Sequence, residues 1–206
     1  MSHNGTQGRC HKVAEADLPT RFGHFRIYGF ECGEASQIEE GVALAMGDLS
    51  GAVPPLVRIH SRCLTGDVFH SLRCDCRAQL ELSLERIAEE ERGLLIYENQ
   101  EGRGIGLLNK LRAYELQDAG ADTVEANEQL GFKADYREYE MPVEVLHYFN
   151  IRSVRLLSNN PEKIQALENA GIRVAERVPC LVDPMETFED YLRTKKEKMG
   201  HLLDGM

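Results

Sequence analysis

The periodicity of this chain changes partway along, and that change limits the fold more than any composition value does. Residues 22–30 (FGHFRIYGF) are rich in β-formers, with Phe25 and Ile27 alternating with polar neighbours, and Val42, Leu44 and Met46 alternate in the same way. Both stretches read as strands joined by a polar, acidic loop. Pro54 and Pro55 punctuate, and residues 56–60 (LVRIH) read as a half-buried third strand. Val57 and Ile59 take one face and Arg58 and His60 the open one. Beyond a cysteine-bearing loop, helices alternate with strands. Residues 79–91 carry Leu80, Leu84 and Ile87 at helical spacing, 94–97 (LLIY) form a short strand, and 105–118 form a second helix stopped by Gly120. Leu108, Leu111 and Leu116 or Ala119 are expected on its core face. Residues 121–139 read as a long polar loop. A helix over 142–149 with Pro142 at its first position follows, then a strand over 154–157. Asn160 caps a helix over 161–169, 172–178 is a strand, and 186–203 is a charged amphipathic helix.

Strands first, then alternation, predict an α+β (α/β-like) fold: a mixed β-sheet with packed helices. At 206 residues, 42% hydrophobic and 28% charged, the chain has the size and composition of one globular domain with a full core. Residues 1–11 read as a flexible tail and 12–206 as the domain. No apolar run reaches the length of a membrane span, and the N-terminus has no apolar signal region. The expected setting is therefore cytoplasmic, with reduced thiols. With 34 acidic against 24 basic residues the net charge is −10, a field that repels nucleic acid. An anionic small substrate must then be met by a few well-placed Arg and Lys.

Three of the six cysteines, Cys63, Cys74 and Cys76, form C-x10-C-x-C. A C-x-C pair with a third cysteine from the loop start suits a zinc ion. Three ligands plus water is the catalytic arrangement, and His60 or His70 as a fourth ligand would make it structural. Three buried small hydrophobes or a redox group are the plainer alternatives. Asp67, Arg73 and Asp75 suit a polar rim. Cys10, Cys32 and Cys180 read as incidental.

Residues 98–106 (ENQEGRGIG) run from a strand through a glycine-rich turn into a helix. That geometry presents N–H groups and a positive helix end to an anion, and Arg103 adds a forked donor. An ordinary βα turn has the same composition. Arg58, His60, Glu101, Arg103, Lys110 and Arg112 make a mixed patch that suits a metal-chelated polyphosphate or a solvated set of ion pairs. Asp135 and Arg137 act together only if their loop folds over a site. Lys163 stands in a first helical turn, where a cation opposes the dipole, and this points to a ligand.

Taken together, HSRCLTGD (60–67), SLRCDC (71–76), NQEGRGIGLLNKLRAYELQD (99–118), DTVEANEQLGF (122–132) and LLSNNPEK (156–163) resemble GTP cyclohydrolase II in order and spacing. The resemblance runs from about residue 12 to the C-terminus. It implies conversion of GTP to 2,5-diamino-6-(5-phosphoribosylamino)pyrimidin-4(3H)-one with release of formate and pyrophosphate, which opens riboflavin biosynthesis. It implies one zinc per subunit on Cys63, Cys74 and Cys76, Mg²⁺ with the triphosphate, and a homodimer. Its substrate-binding positions fall on Arg58, Ile59, His60, Ser61, Arg62, Gln79, Glu101, Gly102, Arg103, Thr123, Ser158 and Lys163. Its proton acceptor falls on Asp135, its nucleophile on Arg137, and its purine-side tyrosine on Tyr114. Glu101 and Gln79 are expected to read the base. Arg62 stands where the family usually has Glu, and Ser158 where Thr is common. Against this reading stand a related zinc ring hydrolase with a formamide product and a non-catalytic nucleotide-binding zinc module.

Overall fold

The computed structural model describes residues 10–34, 37–133, 135–182, 196 and 200–202. Its strands are β1 (Cys10–Thr20), β2 (Gly23–Glu34), β3 (Gln37–Met46), β4 (Leu56–Ser61), β5 (Gly93–Glu98), β6 (Ser153–Leu157) and β7 (Arg173–Val178). Its helices are α1 (Cys76–Glu89), α2 (Leu107–Asp118), α3 (Thr123–Gln129), α4 (Glu140–Tyr148) and α5 (Pro161–Asn169). One seven-stranded sheet runs β1-β2-β3-β5-β4-β6-β7. The β1-β2-β3-β5 side is antiparallel, and β5, β4, β6 and β7 are mutually parallel. The mixed sheet expected from the change in periodicity is present.

Alternation along the central strands divides the core between two faces. Val57, Ile59, Leu94, Ile96, Val154 and Leu156 meet Val145, Leu146 and Leu167 of α4 and α5. Leu56, Leu95 and Leu157 meet Ile87 of α1, with Leu80 and Leu84 beside it. Strand β4 is central and parallel, so both faces are covered. Arg58 and His60 are therefore buried at 5% and 2% exposure rather than on an open face.

Other expectations need correction. Leu108 and Leu111 are exposed, because α2 turns Lys110, Ala113, Tyr114 and Gln117 toward a cleft. Residues 123–129 are helical, started by a capping box in which Asp122 accepts from Val124 N and Glu125 N while Glu125 accepts from Asp122 N. Helix α4 begins at Glu140, so Pro142 is its third residue. The helix expected over 186–203 lies almost entirely outside the described residues. No helix among them is long and apolar enough to cross a membrane.

Strand β1 was not legible, because its burial pattern is mostly exposed and carries no hydrophobic alternation. Its pairing with β2 sets Cys10 opposite Cys32, and the two form a disulfide. They are not incidental reduced thiols. Opening this 22-residue link with dithiothreitol or by Cys10→Ser is expected to cost about 3 kcal/mol, a fall in Tm of roughly 6–12 °C. Superimposable melting curves with and without reductant would remove that role.

Candidate active site

Three adjacent parallel strands, β5, β4 and β6, end on the same edge of the sheet, the edge where open α/β sheets form their crevices. The chain leaves β4 at Arg62, β5 at Asn99 and β6 at Ser158, and a cleft opens among these exits. It is lined by Arg58, His60, Ser61, Arg62, Cys63, Cys74, Cys76, Gln79, Glu101, Gly102, Arg103, Tyr114, Thr123, Arg137, Ser158 and Lys163. Of the expected site residues, Ile59 and Asp135 do not line it. The Ile59 side chain is in the core and only its carbonyl turns this way, accepting from Lys163 Nζ at 2.8 Å.

Cys63 follows β4 directly, and Cys74 and Cys76 flank the start of α1, so a loop return brings three thiols together. Their sulfurs lie within 4.8 Å of one another, with Cys63 Sγ to Cys74 Sγ at 3.7 Å. Thiolates about 2.3 Å from a tetrahedral zinc sit about 3.8 Å apart, so the spacing fits. Gly66 leaves the space: a Cβ there would lie 3.0 Å from Cys74 Sγ and 3.2 Å from Cys63 Sγ. Lys110 Nζ donates to Cys63 Sγ at 3.1 Å. Hydrogen bonds from Cys74 and Cys76, with the Lys110 charge adding, hold the Cys63 thiol far below its ordinary range. Its bond to that thiolate pushes Cys74 up to about 11, and Cys76 is raised as well. A divalent metal is the group that would stabilise all three as thiolates.

Neither histidine completes a four-ligand set: among the described residues the metal-binding group is the three cysteines alone. His60 is committed elsewhere. Its Nε2 faces both Asp67 oxygens at 3.1 and 3.2 Å. Asp67 also accepts from Cys63 N at 3.0 Å and Tyr97 OH at 2.8 Å, tying the first thiolate to the sheet. Burial lowers the His60 pKa against the opposing pull of Asp67. The His60 ring is neutral, Nε2 carries the proton, and Nδ1 is a buried acceptor with no protein partner. Sequence placed Asp67 on a polar rim; it is buried and structural.

The glycine-rich segment forms a 3₁₀ turn over Glu101–Gly104. Gly102, Arg103 and Gly104 all have positive φ, at 63°, 61° and 88°. A left-handed arginine is strained by roughly 1 kcal/mol or more. Tyr136 N holds it by donating to Arg103 O at 3.0 Å. Both terminal nitrogens of Arg103 are buried with no partner among the described residues, which suits a guanidinium that binds an anion. Glu101 is fully engaged, accepting from Leu64 N, Lys110 Nζ and Gly102 N. Gln79 likewise accepts from Arg58 at 2.7 Å and donates to Asp75. These two side chains brace the cleft that they line.

Tyr114 hydroxyl lies 3.2 Å from Thr65 Oγ1, and Arg73 stacks 4.8 Å over its ring. Burial raises its pKa, so it stays a phenol. Arg137 reaches the cleft while Asp135 grips it from behind through both oxygens. Burial pulls the Arg137 pKa down, but the Asp135 hydrogen bond and nearby negative groups outweigh it and hold a guanidinium. Burial pushes Asp135 up, yet Arg137 keeps it ionised. Arg62 donates to Asn99 Oδ1 at 3.0 Å. Ser158 accepts from Asn160 N and Lys163 is buried. Lys110, part of the mixed patch expected from sequence, also lines the cleft, as do Asn127 and His201, neither of which was singled out from sequence. For Lys110 the signal was its place on the inward face of α2, two turns before Gln117.

A sequence model of the family described as GTP cyclohydrolase II matches residues 11–179. The GTP cyclohydrolase-2 of Pectobacterium atrosepticum is 55% identical over 193 residues, 94% of this chain and 97% of that protein. The GTP cyclohydrolase-2 of Yersinia pseudotuberculosis is 57% identical over 192 residues, 93% of this chain and 97% of that one. The protein of that name from Escherichia coli K12 is 55% identical over 193 residues, with the same coverage as the first. The match includes the thiol cluster, the glycine-arginine turn and the edge of the sheet that carries them, and the chain belongs to the GTP cyclohydrolase II family.

Proposed function

We propose that the chain hydrolyses GTP to 2,5-diamino-6-(5-phosphoribosylamino)pyrimidin-4(3H)-one, releasing formate and pyrophosphate as the first step of riboflavin biosynthesis. The observation that carries this is one cleft lined both by a three-thiol cluster and by Arg103, whose terminal nitrogens are buried with no partner among the described residues. Cys63, Cys74 and Cys76 would hold zinc. Bound there, zinc would supply a water activated for hydrolysis at neutral pH.

The chain's own groups do the rest. Lys110, bonded to Cys63 and Glu101, places a cation beside the thiolates and tempers their charge. Tyr114 offers a phenol proton, oriented by Thr65, on the ring side of the cleft. His60, held by Asp67, lines the same space. Toward the phosphates, Arg58, Arg103, Arg137 and Lys163 overcome the −10 field locally, and Mg²⁺ would share that charge. Thr123, Ser158 and Gly102 add short polar contacts along the walls. Arg137 acts as a phosphate clamp, because its partner keeps it protonated. The working form is a homodimer in the cytoplasm.

Purified protein incubated with GTP and Mg²⁺ is expected to yield formate, pyrophosphate and the diaminopyrimidine in equal amounts. A zinc chelator is expected to stop formate release. A formamide by mass analysis would move the chain to a related ring hydrolase. GTP bound without any product would make it a binding module.

A further inference from the structure

Glu98 ends β5 fully buried, and the mechanism above does not use it. One of its oxygens accepts from Ser61 Oγ; the other, Oε2, is buried with no partner among the described residues. A carboxylate in that position persists only if cations nearby compensate for its lost water.

Across the Ser61 hydroxyl lies Lys163. Its Nζ is 3.5 Å from Ser61 Oγ and 2.8 Å from Ile59 O. An ammonium can only donate and an ionised carboxylate can only accept. The hydroxyl therefore has one orientation that serves both: it accepts from Lys163 and donates to Glu98.

Lys163 needs this help. Arg58 and His60 face it from β4, Glu98 from β5, and Asp135, Arg137 and Tyr139 from the segment that leads into α4. Asp135 is already committed to Arg137. Burial brings the Lys163 pKa down to about 7, Glu98 is the strongest influence in the opposite direction, and Arg137 and Arg58 lower it further.

We propose that Glu98 is a positioning residue of the phosphate pocket: acting through Ser61, it is the counter-charge that keeps Lys163 an ammonium turned into the cleft. The proposal rests on the reading of Lys163 as a phosphate-binding group. Glu98→Gln is the sharpest probe, because it keeps the shape and the Ser61 bond and removes only the charge. Losing an opposite charge at this range lowers the Lys163 titration midpoint by about one pH unit.

The test uses the zinc-loaded full chain. The first readout is the ¹³Cε lysine resonance titrated without nucleotide, with Lys163 identified by its loss in Lys163→Met. The midpoint is expected to fall in Glu98→Gln, and by less in Ser61→Ala, which removes the bridge but leaves both charges. The second is steady-state turnover of GTP between pH 6 and 8.5. KM is expected to rise as pH climbs through the midpoint, because the neutral amine no longer pairs with phosphate. At pH 7.5 the Glu98→Gln KM is expected to be about tenfold above the parent's, with kcat changed by less than about twofold. The two KM values converge toward pH 6.

An unmoved Lys163 midpoint in both variants overturns the proposal. So does a kcat that falls at every pH while KM keeps the parent's profile, which is the mark of a merely structural role. If the parent protein does not turn over GTP, the functional reading fails while the resonance still decides whether Glu98 sets the charge of Lys163.

Discussion

Cys74→Ser is expected to remove zinc and formate release together, lowering turnover about 10³-fold or more. Serine is nearly the size of cysteine, so the loop closing on α1 keeps its shape. What goes is one of three sulfurs that lie within 4.8 Å of each other. A hydroxyl is a poor substitute at this position, since neutral pH leaves it protonated and two thiolates hold the ion less tightly. Metal content and formate should therefore fall in parallel. Cys180→Ser is the matched control: Cys180 is buried against Ser83 and the Gln79 carbonyl, away from the cluster, and its loss should leave zinc in place. A Cys74→Ser protein that is free of zinc and still releases formate at the parent's rate would sink the assignment.

Arg137→Lys is expected to lower pyrophosphate release by about 10²–10³-fold while the protein stays folded and holds zinc. Lysine keeps the charge but loses the fork that lets one face grip Asp135 and the other meet phosphate. Two roles for Arg137 make different forecasts. A nucleophile must shed a proton to Asp135, yet Arg137 is held above its ordinary pKa and Asp135 below its own. The ion pair thus works against covalent attack and in favour of a clamp. Acid-quenched turnover of α-labelled GTP is expected to leave the protein unlabelled. Label trapped on the parent and absent from Arg137→Lys would establish the covalent route instead.

The sequence was informative wherever a signal is local. The parallel half showed as alternating short strands and helices, Asn160 capped α5 as its side chain required, and C-x10-C-x-C marked the cluster without any geometry. What stayed hidden depends on partners distant in sequence. Strand β1 has no inward stripe because it lies at the sheet edge. Its disulfide became visible only with the β1–β2 register. Helix α2 misled because the side of it that turns inward meets a polar cleft, so its leucines, not its lysine, point outward. Asp67 read as part of a polar rim and Glu98 as the start of the glycine-rich segment, and only the strands beside them show that both are buried. The capping box at Asp122 was readable, and the polar composition around it obscured it.

The sheet also divides the labour of the molecule. Among the described residues, no side chain from β1, β2 or β3 lines the cleft. Its walls come instead from the exits of three neighbouring parallel strands, whose spacing is fixed by their own backbone ladder, and from α1, α2, α3 and the Arg137 segment. The antiparallel arm can therefore accumulate substitutions, or carry a label near its first hairpin, while the distances between thiols, arginines and lysine stay constant. Evolution has a region in which to adjust stability and surface without touching chemistry, and an engineer has the same one.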